Sequence, residues 1–231
     1  MASAYSDGQL ADMTVEALEA EIRHHNSLYW DKAAPEISDY DYDRLVRALE
    51  TRAPESPVLT DLGASLSGRY GEQVEHQRPM LSLGKCYEDN ELENWATKFE
   101  GDVVVTPKMD GIAASLRYDA DGRLTLAATR GSGTVGEDIT ANVHTIADIP
   151  RKLPDGDVEV RGEIYMKLSV FRGYEGQFSN PRNLTAGAIK SKEPERARQY
   201  KLSFAAYHVD KAGIGSEREK FAYLVGAGFP E

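Results

Sequence analysis

Cysteine is almost missing from this 231-residue chain: Cys86 stands alone. A single thiol excludes an intrachain disulfide and a cysteine-based zinc site within the chain, and makes a reducing, cytoplasmic setting the default. Long apolar runs are absent too; no stretch approaches the roughly 20 residues that a membrane-spanning helix needs. Residues Met1 to Gly8 lack the basic start and apolar stretch of a secretory signal. Cations are in deficit, with 27 Lys and Arg against 38 Asp and Glu and a net charge of −11. Phosphate backbones demand clustered cations, so the chain does not hold nucleic acid by bulk electrostatics, although a local basic surface stays open. No internal repeat or low-complexity tract occurs. What is present is a hydrophobic fraction of 41%, enough for a real core. The length suits one large domain, or one domain plus a small appendage.

Residues 1–12 read as a loose tail. Beyond Thr14, a plausible N-cap, Val15, Leu18, Ile22, His25 and Tyr29 recur at steps of three and four, one face of a helix. Ser38 and Asp41 form a capping-box-like pair, and Tyr42, Leu45, Val46 and Leu49 give a second helix its stripe, stopped by Pro54 and Pro57. Residues 55–77 read as a linker rich in Ser, Gly and Pro. The texture then changes. Val103–Thr106 reads as a short strand; Ile112–Tyr118 and Arg123–Thr129 form a hairpin about the turn Asp119-Ala120-Asp121-Gly122. A glycine-rich loop, Gly131–Gly136, precedes a helix over Glu137–Ile146. Val158–Met166 and Leu202–Val209 read as strands, with helices at Leu168–Glu175 and Pro181–Ile189 between them. The fold class is α+β, mostly antiparallel.

Five motifs carry chemistry. In Lys108-Met109-Asp110-Gly111, a lysine between two strands serves as a nucleophile when its amine is neutral, Asp110 orients the amine or a ribose, and Gly111 admits a nucleotide close to the backbone. The bland alternative is a turn with an exposed lysine. Gly131-Ser132-Gly133-Thr134-Val135-Gly136 matches a dinucleotide fingerprint in form, but the strand before it belongs to a hairpin, which favours a simple glycine loop. Arg130 before it suits a phosphate or carboxylate. In Val160-Arg161-Gly162-Glu163-Ile164, Glu163 either meets ribose hydroxyls or a metal, or lies on a solvated strand face. Asp39, Tyr42 and Asp43 share a helix face and, together with Tyr29, either suit a planar cationic ring and its ribose or are merely first-turn acids favoured by the helix dipole with Tyr42 in the core. Asn180-Pro181-Arg182-Asn183, with Lys190, offers phosphate contacts or merely a capped helix with exposed cations. The histidines His24, His25, His76, His144 and His208 show no metal-ligand spacing and read as structural or surface residues.

The order of these motifs, with Pro79-Met80-Leu81-Ser82-Leu83 ahead of them and Ala34-Pro35-Glu36-Ile37-Ser38-Asp39 before that, closely resembles the N-terminal part of bacterial NAD-dependent DNA ligases, from about Val15 to Val209. The resemblance implies a helical nicotinamide-mononucleotide-binding subdomain over residues 1–70. It implies an ATP-grasp-like nucleotidyltransferase domain over 71–231. Lys108 would attack the α-phosphate of NAD, releasing nicotinamide mononucleotide and keeping AMP as a phosphoramidate. AMP would then pass to the 5′-phosphate of a nick in double-stranded DNA, and magnesium would offset phosphate charge. By the same carry-over, Tyr29, Asp39, Tyr42 and Asp43 clamp the nicotinamide mononucleotide half. Ser82, Leu83 and Thr106 line the adenosine side, and Arg130, Glu163 and Arg182 contact the nucleotide. The implied protein is a monomer whose DNA contacts come mainly from domains outside this sequence. Thr106 stands where the family commonly has glutamate, Trp30 where histidine is usual, Ser132 in place of an aspartate and Lys190 in place of an arginine. A second Asp-Gly-apolar-apolar-Lys strand and a further lysine motif do not occur, so the resemblance implies a truncated domain. Its alternative function is an NAD-binding fragment without chemistry.

Overall fold

The computed structural model describes residues 4–28, 36–60, 72–178 and 180–230. The first part is helical: α1 (Asp7–Asp12), α2 (Val15–Asn26), α3 (Asp39–Arg52) and α4 (Pro57–Thr60). Thr14 and Ser38 cap α2 and α3 as their spacing predicts, accepting from the Ala17 and Asp41 amides. Leu10, Leu18, Ile22, Leu45, Leu49 and Val58 form one buried cluster. The expected loose tail over residues 1–12 is ordered from residue 4 on, the first described. Ser6 and Gln9 make a reciprocal capping box, Leu10 is buried, and Arg52 donates to the Leu10 and Ala11 carbonyls at 2.7 and 2.9 Å. Those carbonyls end α1 without intrahelical partners, so the guanidinium supplies what the helix cannot.

The second part contains β1 (Gln73–Glu75), α5 (Asp89–Ala96), β2 (Ile112–Tyr118), β3 (Leu124–Thr129), β4 (Val135–Glu137), α6 (Thr140–Val143) and β5 (Val158–Tyr165). It continues with α7 (Leu168–Phe171) and its 3₁₀ extension Arg172–Tyr174, then α8 (Pro181–Ile189), α9 (Pro194–Gln199), β6 (Ser203–Asp210) and α10 (Glu217–Gly226). A four-stranded antiparallel sheet runs β3-β2-β5-β6, and β1 pairs with β4 in a small second sheet. The two-residue side-chain period gives the larger sheet two faces. Ala114, Leu116, Val160, Ile164, Phe204 and Val209 pack with Ile139, Val143, Ile146, Leu184, Ile189 and Leu224 in the second core. Ser115, Arg117, Glu159, Arg161 and Glu163 alternate with them onto the opposite face. Among the described residues, no helix is long and apolar enough to cross a membrane.

Three sequence expectations need correction. The 55–77 stretch carries α4 and β1; residues 61–71 lie outside the described ones. Val103–Thr106 is not a strand. Its valines have strand propensity, but no described strand lies alongside, and Val105 is 90% exposed. Propensity without a partner does not make a ladder. The helix expected over Glu137–Ile146 shrinks to α6, because β1 captures Glu137 as a strand residue opposite Gln73 and Asp138 caps the turn at the Thr140 amide. The helices α5, α9 and α10 carry no expectation from the sequence reading.

Gly162 is where β5 meets its core without clearance: a Cβ there would lie 2.2 Å from Phe204 Cζ and 2.5 Å from the Ala205 carbonyl oxygen. The ring can turn, but the carbonyl belongs to the adjacent strand. Gly162→Ala is expected to destabilise the fold by about 1–3 kcal/mol in denaturant unfolding. Unchanged stability would mean that β5 and β6 are not packed this way.

Candidate functional site

Glu163 sits on β5 directly between Ala113 of β2 and Ala205 of β6. Both neighbours are alanines, and the carboxyl is itself largely removed from water. That burial pushes the Glu163 carboxyl up to about 7. Arg182, Lys108 and Arg130 pull in the opposite direction, and Asp110 adds to the rise. Three separate stretches of chain thus bring their charges to one carboxyl.

Each stretch arrives for a local reason. Lys108, Met109 and Asp110 lead into β2 through Gly111, where a Cβ would lie 2.1 Å from the Ile164 carbonyl oxygen. Only a residue without a side chain lets this run cross so near the end of β5. Arg130 leaves β3 with its amide bonded to the Ala113 carbonyl at 2.9 Å, and Gly131 then turns the chain with φ +54°. Arg182 lies in the first turn of α8, fixed by Asn180 accepting from the Asn183 amide at 2.8 Å and by Pro181. Its guanidinium reaches Asp110 Oδ1 at 3.3 Å. The glycine loop joins antiparallel β3 to β4, so it is a turn between strands and not the first crossover of a dinucleotide fold.

Farther along β5 the charges are already committed. Arg161 donates through Nε to Glu159 at 2.8 Å and through its terminal nitrogens to the Pro79 and Arg78 carbonyls at 3.0 and 2.8 Å; Ser115 also donates to Glu159 at 2.9 Å. This face of the strand is therefore not a bland solvated one: Glu159 is only 7% exposed. The network pins residues 78–80 to the sheet and so sets where Ser82 and Leu83 begin.

The other sequence-selected residues distribute as follows. Ser82, Leu83, Thr106 and Lys108 are exposed. Tyr42 is half-buried, donates to Asn26 Oδ1 at 2.7 Å and packs against the helical cluster. Asp43 accepts from Lys85 Nζ at 2.6 Å and from the Tyr87 hydroxyl, and Arg47 stacks over the Tyr87 ring at 4.4 Å. Tyr29 and the side chain of Asp39 lie outside the described residues. Lys190 pairs with the buried Glu137 carboxylate, on a separate cavity of about 690 Å³ that none of the Glu163 group lines.

The sequence reading missed Lys85, Tyr87 and Tyr207. Tyr207 is the extra residue of a β6 bulge opposite Arg161 and Gly162, and its hydroxyl feels Glu163, Arg161 and Arg130. A bulge breaks the two-residue period on which strand reading depends, so nothing in the alternation marks it. Among the described residues no group of three or more His, Cys, Asp or Glu side chains is placed to hold a metal ion. Glu163 and Asp110 offer two carboxyl groups, which suits magnesium only when substrate phosphates complete its shell.

Residues 70–230 match the family model described as NAD-dependent DNA ligase adenylation domain, and residues 9–61 match DNA ligase-like, N-terminal NAD+-binding domain. A DNA ligase of Stenotrophomonas maltophilia is 40% identical over 218 residues, covering 83% of this chain and 26% of its own length. DNA ligase 2 of Deinococcus deserti is 39% identical over 246 residues, covering 93% and 35%. A DNA ligase of Wolbachia pipientis is 39% identical over 226 residues, covering 93% and 34%. The chain thus spans between a quarter and about a third of the length of these curated relatives.

The close passage at Gly111 generates a prediction. Gly111→Ala is expected to push residues 108–110 off β5, costing roughly 1–3 kcal/mol of stability and lowering the pH at which Glu163 titrates, because water enters. A variant with wild-type stability and wild-type Glu163 titration, followed by carboxyl carbon NMR, would contradict the packing described.

Proposed function

The chain belongs to the NAD-dependent DNA ligase adenylation domain family, and from that premise we propose that it binds NAD and takes AMP onto Lys108. The observation that carries this reading is the group around Glu163: a lysine, two arginines and an aspartate facing one desolvated carboxyl. The Lys108 amine, once neutral, attacks the α-phosphorus of NAD. A nitrogen–phosphorus bond forms, the phosphorus–oxygen bond to nicotinamide mononucleotide breaks, that nucleotide leaves, and the amine proton goes to solvent. Arg130 and Arg182 offset charge on the phosphates. Asp110, held by Arg182, orients the amine. Glu163, flanked by Ala113 and Ala205, accepts from ribose hydroxyls. Ser82, Leu83 and Thr106 line the adenosine side, and Tyr29, Asp39, Tyr42 and Asp43 hold the nicotinamide mononucleotide half. Glu163 and Asp110 would help to hold magnesium alongside the substrate phosphates, and the ion would supply further charge neutralisation.

In this reading residues 1–70 are the nicotinamide-mononucleotide-binding subdomain and 71–231 the adenylation unit, working as a monomer. AMP passes on to the 5′-phosphate of nicked DNA, whose 3′-hydroxyl then closes the strand. One observation favours a second reading, NAD binding without transfer: Lys108 is exposed and the valines just before it have no strand partner among the described residues. Incubation of the intact chain with adenylate-labelled NAD and magnesium separates the two. Acid-labile AMP on the protein, absent from Lys108→Ala, is the expected result. Calorimetric NAD binding without label selects the second reading, and neither binding nor label overturns both.

A further inference from the structure

His76 follows β1 and faces the exit of β3. Its backbone amide donates to the Thr134 carbonyl at 2.9 Å, and its ring Nε2 lies 3.0 Å from the Thr129 carbonyl oxygen and 3.2 Å from that of Arg130. Carbonyl oxygens only accept, so Nε2 carries the proton. The other ring nitrogen, Nδ1, is buried and has no hydrogen-bond partner among the described residues. A second proton there would place a charge where nothing receives it, and burial lowers the His76 pKa accordingly. Arg117 opposes that proton and Glu159 favours it. Room for the ring comes from Gly136, where a Cβ would lie 3.0 Å from Nε2.

We propose that His76 is a positioning residue for the nucleotide site: its neutral ring clasps two successive carbonyls at the end of β3 and so fixes Arg130. The same clasp joins the stretch leading to Ser82 and Leu83 to the glycine loop. Gly133 continues the chain of contacts, donating to the Arg130 carbonyl at 2.9 Å and accepting from the Met80 amide at 2.8 Å. Arg130 is thus held from its backbone by His76 while its guanidinium faces Glu163 and Tyr207. The clasp rests on the proposed function only for what Arg130 binds; the backbone geometry stands apart from it.

The test compares His76→Gln, whose amide nitrogen donates at similar reach, with His76→Leu, which fills the space and donates nothing. NAD affinity by calorimetry, melting temperature and amide hydrogen exchange are measured on the full chain. Leucine is expected to weaken NAD binding roughly tenfold, the scale of one lost buried hydrogen bond, and to speed exchange at Gly133. Glutamine is expected to restore both. A purely structural residue would shift the melting temperature in both variants while leaving NAD affinity alone, and that result overturns the proposal. If the wild-type chain fails to bind NAD, the functional reading falls, and the clasp is decided by Gly133 exchange: unchanged exchange in His76→Leu overturns it, faster exchange sustains it. Nitrogen-15 spectra of the wild-type ring at neutral pH should show the proton on Nε2; a proton on Nδ1 also overturns it.

Discussion

A carboxyl pushed up to about 7 and surrounded by Arg182, Lys108 and Arg130 is the constraint around which the sheet-containing part is arranged. The site places alanines beside Glu163 on both neighbouring strands, Ala113 and Ala205. It also requires an approach to β5 that no side chain blocks, which Gly111 provides. The apolar face of the same sheet supplies the rigidity. Phe204, Ile164 and Leu116 are essentially fully buried beneath the strand that carries Glu163. Charge on one face is therefore held by packing on the other.

The helical part is organised differently. Its core of six buried residues is separate from that of the sheet, and the contacts that join α3 to the 85–91 stretch are polar and aromatic. Asp43 is central to them, paired with Lys85 and with the Tyr87 hydroxyl. Exposed ion pairs contribute little stability, so such a contact is readily remade.

Regular elements were legible because their signals are local. Thr14 and Ser38 announce helix starts, Asn180-Pro181 announces α8, and the turn at Asp119–Gly122 fixes the β2–β3 hairpin. What was not legible depends on distant partners. Val103–Val105 reads as a strand by propensity yet has nothing to pair with among the described residues. Residues 1–12 read as a tail because their few apolar residues show no helical period; Leu10 is buried by the helical cluster it joins. In the candidate site, Lys108, Asp110, Arg130, Glu163 and Arg182 were all selected from sequence because their motifs are compact. Tyr207 was hidden by a bulge, and the partners of His76, the Thr129 and Arg130 carbonyls, lie more than fifty positions away. Lys85 and Tyr87 matter only through α3, more than forty positions away.

The account turns on Glu163 being desolvated among cations rather than lying on a solvated strand face. Carboxyl carbon NMR of the intact chain, followed from acid to alkaline pH, measures this directly. The account predicts that Glu163 titrates near 7, well above an ordinary glutamate, and that Arg182→Ala moves the midpoint higher still, since a cation favouring the ionised form is gone. A midpoint near the ordinary glutamate value of about 4.3, indifferent to Arg182, would show an exposed carboxylate and remove the basis for placing the site there.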